Sequence, residues 1–250
     1  MKTIGVIPSR LGSSRLPNKP LLKIHGKSMI EHVYKRSEKC GELDNLIVAT
    51  CDTEIYDEVR SFGGNAVMTS SKHERCTDRI AEAVQGLKYD IIINIQGDEA
   101  LVNPLMIKNS IEAINFDSKY LTANNASKIF NKNEFLDPNN VKLLFNNKLE
   151  ALYFSREPIP SLYKQNKFDN FYGYKQVCII GFTYDYLIKF NEYKQTELEK
   201  KESIDMLRCL ENGDKVKIVE TEFPNWSVDT EDDLKIVSNM MLKDELFEQY

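Results

Sequence analysis

The sequence predicts an α/β fold, a doubly wound and mostly parallel sheet with helices on both faces. Three observations predict it. Short β-branched runs alternate with segments of helical period through the first half of the chain, the rhythm of βα units. The run "DIIINIQ" (90–96) is the most apolar of the strand-like runs, which predicts a central strand covered on both faces. Gly and Asn punctuate the runs where the chain has to reverse.

From the N-terminus, "TIGVIP" (3–8) reads as a buried strand and "MIEHVYKRSEKC" (29–40) as a helix, with Met29, Ile30, Val33 and Tyr34 on one face. "NLIVAT" (45–50) is a strand. "EIYDEVRSFG" (54–63) is a helix stopped by Gly63-Gly64. "AVMT" (66–69) is a strand, "TDRIAEAVQGL" (77–87) a helix, 90–96 the central strand, and 104–115 a helix opened by Pro104. In 141–155, "NN" between two apolar runs predicts a hairpin; 161–176 reads as a loop or lid; 177–183 is a strand. One amphipathic helix is expected over 196–213, a strand over 215–221 and a last helix over 230–249 with Thr230 as its N-cap. A single domain over 1–250 is expected, with an irregular β excursion near 120–180 that forms a lid or a dimer arm.

Charge narrows the function. A net charge of −5 argues against a general binder of nucleic acid or of a membrane surface. Residues 1–30 nevertheless hold six Lys or Arg and no acid, which marks a local anion site. No apolar run approaches the roughly 18 residues that span a bilayer, and "MKTIGVIPSR" is too polar for a signal peptide. Five cysteines without C-x-x-C spacing fit reduced thiols in a cytoplasm. The three histidines form no zinc-like cluster.

Four loops carry the chemistry. "PSRLGSSRLPNKPL" (8–21) leaves the carboxyl end of the first strand, where open α/β sheets bind ligands. Gly12, Ser13 and Ser14 let backbone N–H groups approach an anion, Arg10 and Arg15 can clamp phosphate oxygens, and Lys19 adds a point charge. Several cations on one loop suit a triphosphate. In "NIQGDEALVNP" (94–104), Asp98 follows the central strand as a Mg²⁺ ligand or as a cap of the next helix. In "SVDTEDDL" (227–234), Asp229 is a second metal ligand or part of a cap. In "LYFSREPIP" (152–160), Arg156 precedes two stiffening prolines and suits a substrate carboxylate.

These pieces in this order resemble the CMP-Kdo synthetases, the 3-deoxy-manno-octulosonate cytidylyltransferases. "IPSRLGSSRLPNKPLLKIHGKSMIEHVY", "NIQGDE", "ALYFSREPIP" and "VDTEDDL" are similar to that family's signatures, and the resemblance runs from Lys2 to about Val237. It implies a Rossmann-like nucleotidyltransferase fold, a homodimer, CTP and an acidic sugar as substrates, Mg²⁺ as cofactor, and a role in polysaccharide biosynthesis. It implies that Pro8, Arg10, Gly12, Ser13, Arg15, Lys19, Arg75, Thr77 and Asp98 lie on CTP. Asp98 and Asp229 would hold the metal, with Lys19 and Arg10 completing the catalytic set. Gln96 and Arg156 would face the sugar.

The sequence departs from the family at the acceptor side. "QVCII" (176–180) stands where the family reads His-Ile-Gly-Ile-Tyr, so Gln176 and Ile180 replace His and Tyr. "IDMLR" (204–208) stands for Leu-Glu-Gln-Leu-Arg, bringing Asp205 and Met206. "RCTDR" (75–79) puts Arg75 and Cys76 where two small residues are usual. These changes predict an acceptor other than Kdo itself: a modified ulosonic acid, or a smaller carboxylate, phosphate or phosphonate, with Arg75 favouring a more anionic one. A non-catalytic nucleotide-binding relative is the rival from another class. No G-x-G-x-x-G follows the first strand, against a dinucleotide oxidoreductase, and no Ser/His/Asp arrangement suggests a hydrolase.

Overall fold

A computed structural model describes residues 1–12, 15–115, 119–163 and 173–250. Among the described residues the main sheet has nine strands. Its spine runs β11 (Lys217–Thr221), β7 (Thr122–Lys128), β10 (Tyr174–Thr183), β6 (Ile91–Ile95), β1 (Thr3–Ser9), β4 (Asn45–Thr50) and β5 (Ala66–Met68). β1 pairs in parallel with β4 and β6, as do β4 with β5 and β11 with β7. Only β10 runs against both of its spine neighbours. The hairpin expected within 141–155 is β8 (Lys142–Phe145) with β9 (Ala151–Ser155), attached through β8 to β10. A small ribbon, β2 (Lys23–Ile24) with β3 (Lys27–Ser28), follows the basic loop.

Helices cover both faces. On one lie α1 (Met29–Glu38), α2 (Thr53–Ser61) and α4 (Pro104–Asn115), packing Ile30, Val33, Ile55, Met106 and Ile111 against Ile7, Val48 and Ile93. On the other lie α3 (Cys76–Val84), α6 (Tyr184–Glu192) and α8 (Met206–Glu211), packing Ile80, Phe190 and Leu207 against Val6, Ile92 and Phe182. A third cluster seats α9 (Glu231–Met241) through Val237 and Met241 on Leu16, Met29 and Leu101, fixing the base of the basic loop.

The structure departs from the sequence expectation in five places. β7, "TANNASK", carries no apolar alternation, yet Asn124 and Asn125 are fully buried. Asn125 Nδ2 donates to Ser110 Oγ (2.6 Å) and Ile179 O (3.0 Å), so hydrogen bonds take the place of apolar packing. α5 (Lys132–Leu136) and α6 are helices that no strong periodicity announces. The helix expected over 196–213 is two, α7 (Glu197–Glu202) and α8, divided at Ser203 with φ +56°. The last helix stops at Met241, and Phe247–Gln249 forms a separate 3-10 turn. β10 begins inside the segment expected to be a lid; the remainder of that segment, 164–172, lies outside the described residues.

Candidate active site

The cleft forms where the carboxyl ends of β1 and β6 meet. A Cβ on Gly97 would lie 3.0 Å from Pro8 O, so a glycine is what lets the turn after β6 lie against the end of β1. That contact sets Gln96 and Asp98 beside the basic loop. Two adjoining hollows of about 320 and 360 Å³ open there. Arg10, Arg15, Arg75, Gln96, Asp98 and Asp229 border both. Pro8, Gly12 and Lys19 border only the first, the side expected for the nucleotide. Arg156, Gln176, Ile180, Asp205 and Met206 border only the second, the side expected for the acceptor. Thr77, expected beside the nucleotide, borders the second instead, and its hydroxyl is 3.1 Å from Asp205 Oδ2. Ser13 lies outside the described residues.

At the junction, Lys19 Nζ sits 2.7 Å from Asp98 Oδ2 and 3.1 Å from Asp229 Oδ1. Arg15 Nη2 adds a second cation 3.0 Å from Asp229 Oδ1, and its Nη1 reaches Asn139 across the cleft. Burial pulls the Lys19 pKa down, but the charges of Asp98 and Asp229 outweigh it and hold the ammonium above its ordinary range. Lys19 and Arg15, expected on phosphate oxygens, therefore meet the two aspartates in this structure.

Neither aspartate is occupied as a cap. Asn103 Oδ1 accepts from Leu105 N (3.0 Å) at the start of α4. Thr230 Oγ1 accepts from Asp233 N (3.2 Å), while Asp233 Oδ2 accepts from the N–H groups of Thr230 and Asp229. Both carboxylates are thus free to face the cleft, and they converge closely enough to share one cation. No group of three or more His, Cys, Asp or Glu with metal-site geometry occurs among the described residues. Two carboxylates fit Mg²⁺, which commonly takes one or two from the protein and the rest from water and phosphate.

Five amides, Asn94, Gln96, Asn139, Asn140 and Gln176, border the acceptor hollow together with charged side chains, among them an ion pair. Arg75 Nε lies 3.7 Å from Asp205 Oδ1, and Arg75 Nη1 donates to Ser203 Oγ (3.0 Å). The charge expected to attract a more anionic acceptor is thus met within the protein. Burial raises the Asp205 pKa, and Arg75 and Thr77 oppose that rise. Gln176 Nε2 donates to Asn124 Oδ1 (2.6 Å), and Gln96 Nε2 approaches Cys76 Sγ (3.3 Å). Burial pushes the Cys76 thiol up to about 11 and holds Cys178 well above its ordinary range, so neither serves as a thiolate nucleophile near neutral pH. Arg156 borders the hollow while giving Nε to Glu202 O (2.7 Å) and Nη1 to Pro138 O (2.9 Å).

Sequence reasoning did not single out Asn94, Asn139 or Asn140, which border the same hollow. Asn94, opposite Ile180 in the register, is 3% exposed, and its Oδ1 has no hydrogen-bond partner among the described residues. The signal was its place in "NIQGDE", on the same strand face as Gln96.

A cytidylyltransferase family profile matches residues 4–218. The chain is 45% identical to the 3-deoxy-manno-octulosonate cytidylyltransferase of Fusobacterium nucleatum, over 96% of each chain. It is 40% identical to the enzyme of the same name from Geobacter metallireducens, over 96% of this chain and 98% of that one. Among solved structures it is similar to a CMP:2-keto-3-deoxy-manno-octonic acid synthetase complexed with CTP, with a TM-score of 0.89 and 35% identity over 97% of this chain and 99% of that one. No described helix is long and apolar enough to cross a membrane. On sequence, fold and the arrangement of the cleft together, the chain belongs to the 3-deoxy-manno-octulosonate cytidylyltransferase family of nucleotidyltransferases.

Proposed function

We propose that the protein transfers the cytidylyl group of CTP to the anomeric hydroxyl of an acidic sugar, 3-deoxy-manno-octulosonate or a related ulosonic acid, and releases pyrophosphate. The observation that carries this reading is the convergence of Asp98 and Asp229 at the junction of the basic nucleotide-side hollow and the acceptor hollow. Arg10 and Arg15 bind phosphate oxygens, and Lys19 supplies a fixed positive charge beside them. Asp98 and Asp229 would hold Mg²⁺, which when bound neutralises charge on the phosphates. Gln96 orients the sugar from the shared border, and Arg156 meets its carboxylate from the second hollow. The sugar hydroxyl then attacks the α-phosphorus in line with the departing pyrophosphate.

A cytoplasmic homodimer belongs to the same reading. Phe130 (79% exposed), Leu152 (59%) and Tyr163 (88%) on the excursion offer apolar surface for a second copy. A second reading keeps the nucleotide half and changes the acid. The apolar side chains of Ile180 and Met206 in the acceptor wall favour it.

Pyrophosphate release, followed with CTP, Mg²⁺ and a panel of acids, tests both. Turnover with 3-deoxy-manno-octulosonate or another ulosonic acid is expected, and chelation of the metal should lower the rate by at least about 10²-fold until Mg²⁺ is restored. Kdo turning over as well as every other acid would end the altered-acceptor reading. CTP binding without pyrophosphate release, whatever the acid, would make the protein a nucleotide-binding module.

A further inference from the structure

Three separate stretches wall the acceptor hollow: 137–141, 155–157 and 202–206. Two cations hold them together. Lys142, on β8, is fully buried, and its ammonium donates to Asp137 O (2.8 Å), Asn140 O (2.6 Å) and Arg156 O. Three N–H donors meet three carbonyl oxygens, so the group is saturated. Arg156 bonds onward to Pro138 O and Glu202 O, while the Glu202 carboxylate accepts from Arg156 N (2.8 Å) and Ser155 Oγ (2.8 Å).

A buried ammonium bonded only to backbone carbonyls takes no part in the chemistry itself, and its removal from water is costly. What it provides is geometry. Resting on the assignment of the second hollow to an acid acceptor, we propose that Lys142 is a positioning residue: its ammonium clips the 137–140 loop to Arg156, so that the guanidinium and the Asn139–Asn140 wall meet the acceptor as one rigid unit.

The clip has a chemical limit. Burial pulls the Lys142 pKa down to about 8, while Asp137, Glu157 and Glu202 favour the ammonium and Arg156 opposes it. Below that pH the amine carries three donors for three carbonyls. Above it, two donors remain and one carbonyl is released. Lys19, held charged by its two aspartates, does not titrate in the same range.

The test is steady-state kinetics of the full chain with Mg²⁺, from pH 6.5 to 9.5. CTP is varied at saturating acid and the acid at saturating CTP, for the wild type and for Lys142→Met. The wild-type acceptor KM should rise as pH passes about 8 while the CTP KM stays level. Lys142→Met should raise the acceptor KM at pH 7 by about 10- to 100-fold, leave the CTP KM within about twofold, and erase the inflection. A wild-type acceptor KM that stays flat to pH 9.5, or a variant that shifts both KM values alike, overturns the inference; the wild-type profile decides alone should the variant not fold. If no acid is turned over, the functional reading fails first and takes this inference with it. Turnover with a flat profile overturns only the clip.

Discussion

Asp98→Asn and Asp229→Asn should each lower kcat by about 10²- to 10³-fold, with the melting temperature nearly unchanged. The two carboxylates flank one point, the Lys19 ammonium, at 2.7 and 3.1 Å. They arrive there from the turn after β6 and from the residue before the α9 cap, far apart in sequence but held by separate backbone anchors. Val228 N donates to Asp98 O (3.2 Å), so the two turns are tied to each other as well. Because Asn103 and Thr230 do the capping, replacing either aspartate removes charge from the cleft without uncapping a helix. An amide keeps the shape and most of the polarity but loses the formal charge that a shared Mg²⁺ requires. Two measurements check this: pyrophosphate release, and binding of Mn²⁺ followed by its paramagnetism in the presence of CTP. A kcat within tenfold of wild type for either variant would remove the aspartates from the mechanism.

The largest expected loss of stability lies behind the acceptor wall. Glu199→Ala should destabilise the fold by about 3–5 kcal/mol, because it strands a buried guanidinium. Arg208 gives Nε to Glu199 Oε2 (2.8 Å) and Nη2 to Oε1 (2.5 Å), and the two side chains are 3% and 0% exposed. The guanidinium also lies 4.4 Å from the centre of the Phe190 ring. For a chain of this length that loss corresponds to a fall in melting temperature on the order of 10 °C. The double variant Glu199→Leu, Arg208→Met should lose less, since it removes both charges and leaves apolar volume. Calorimetry or a thermal melt reads the difference, and a double variant no better than Glu199→Ala would refute the stranded-charge explanation. The pair binds α7 to α8 across the break at Ser203, and that break is what presents Asp205 and Met206 to the hollow.

The βα rhythm of the first half was legible because its strands are apolar on both faces and its helices keep their period: β1, β4, β6 and α1 fall where expected. The basic loop and Asp98 were legible for a chemical reason, since their charges follow the ends of β1 and β6, and Asp229 stood out as an acid directly before the cap of the last helix. β7 was hidden because Asn124 and Asn125 are buried through hydrogen bonds to β10 and α4, and a polar strand leaves no hydrophobic trace. The break at Ser203 was hidden because no Gly or Pro marks it; the bonds that Ser155 and Arg156 donate to the Glu202 carboxylate, which hold the kink, are long-range. Lys142 offered no signal at all. A lysine within an apolar run reads as an exposed face, and only the fold reveals three carbonyls converging on it.

The reversed strand β10 has a consequence for how such an enzyme can diverge. Gln176, Cys178 and Ile180 project from it into the acceptor hollow, whereas the phosphate-side cations and both aspartates come from other parts of the chain. Substitutions along this one ribbon can therefore reshape part of the acceptor wall, the rest of which comes from residues such as Arg75, Arg156, Asp205 and Met206. Such edits leave the phosphate-side cations and both aspartates in place.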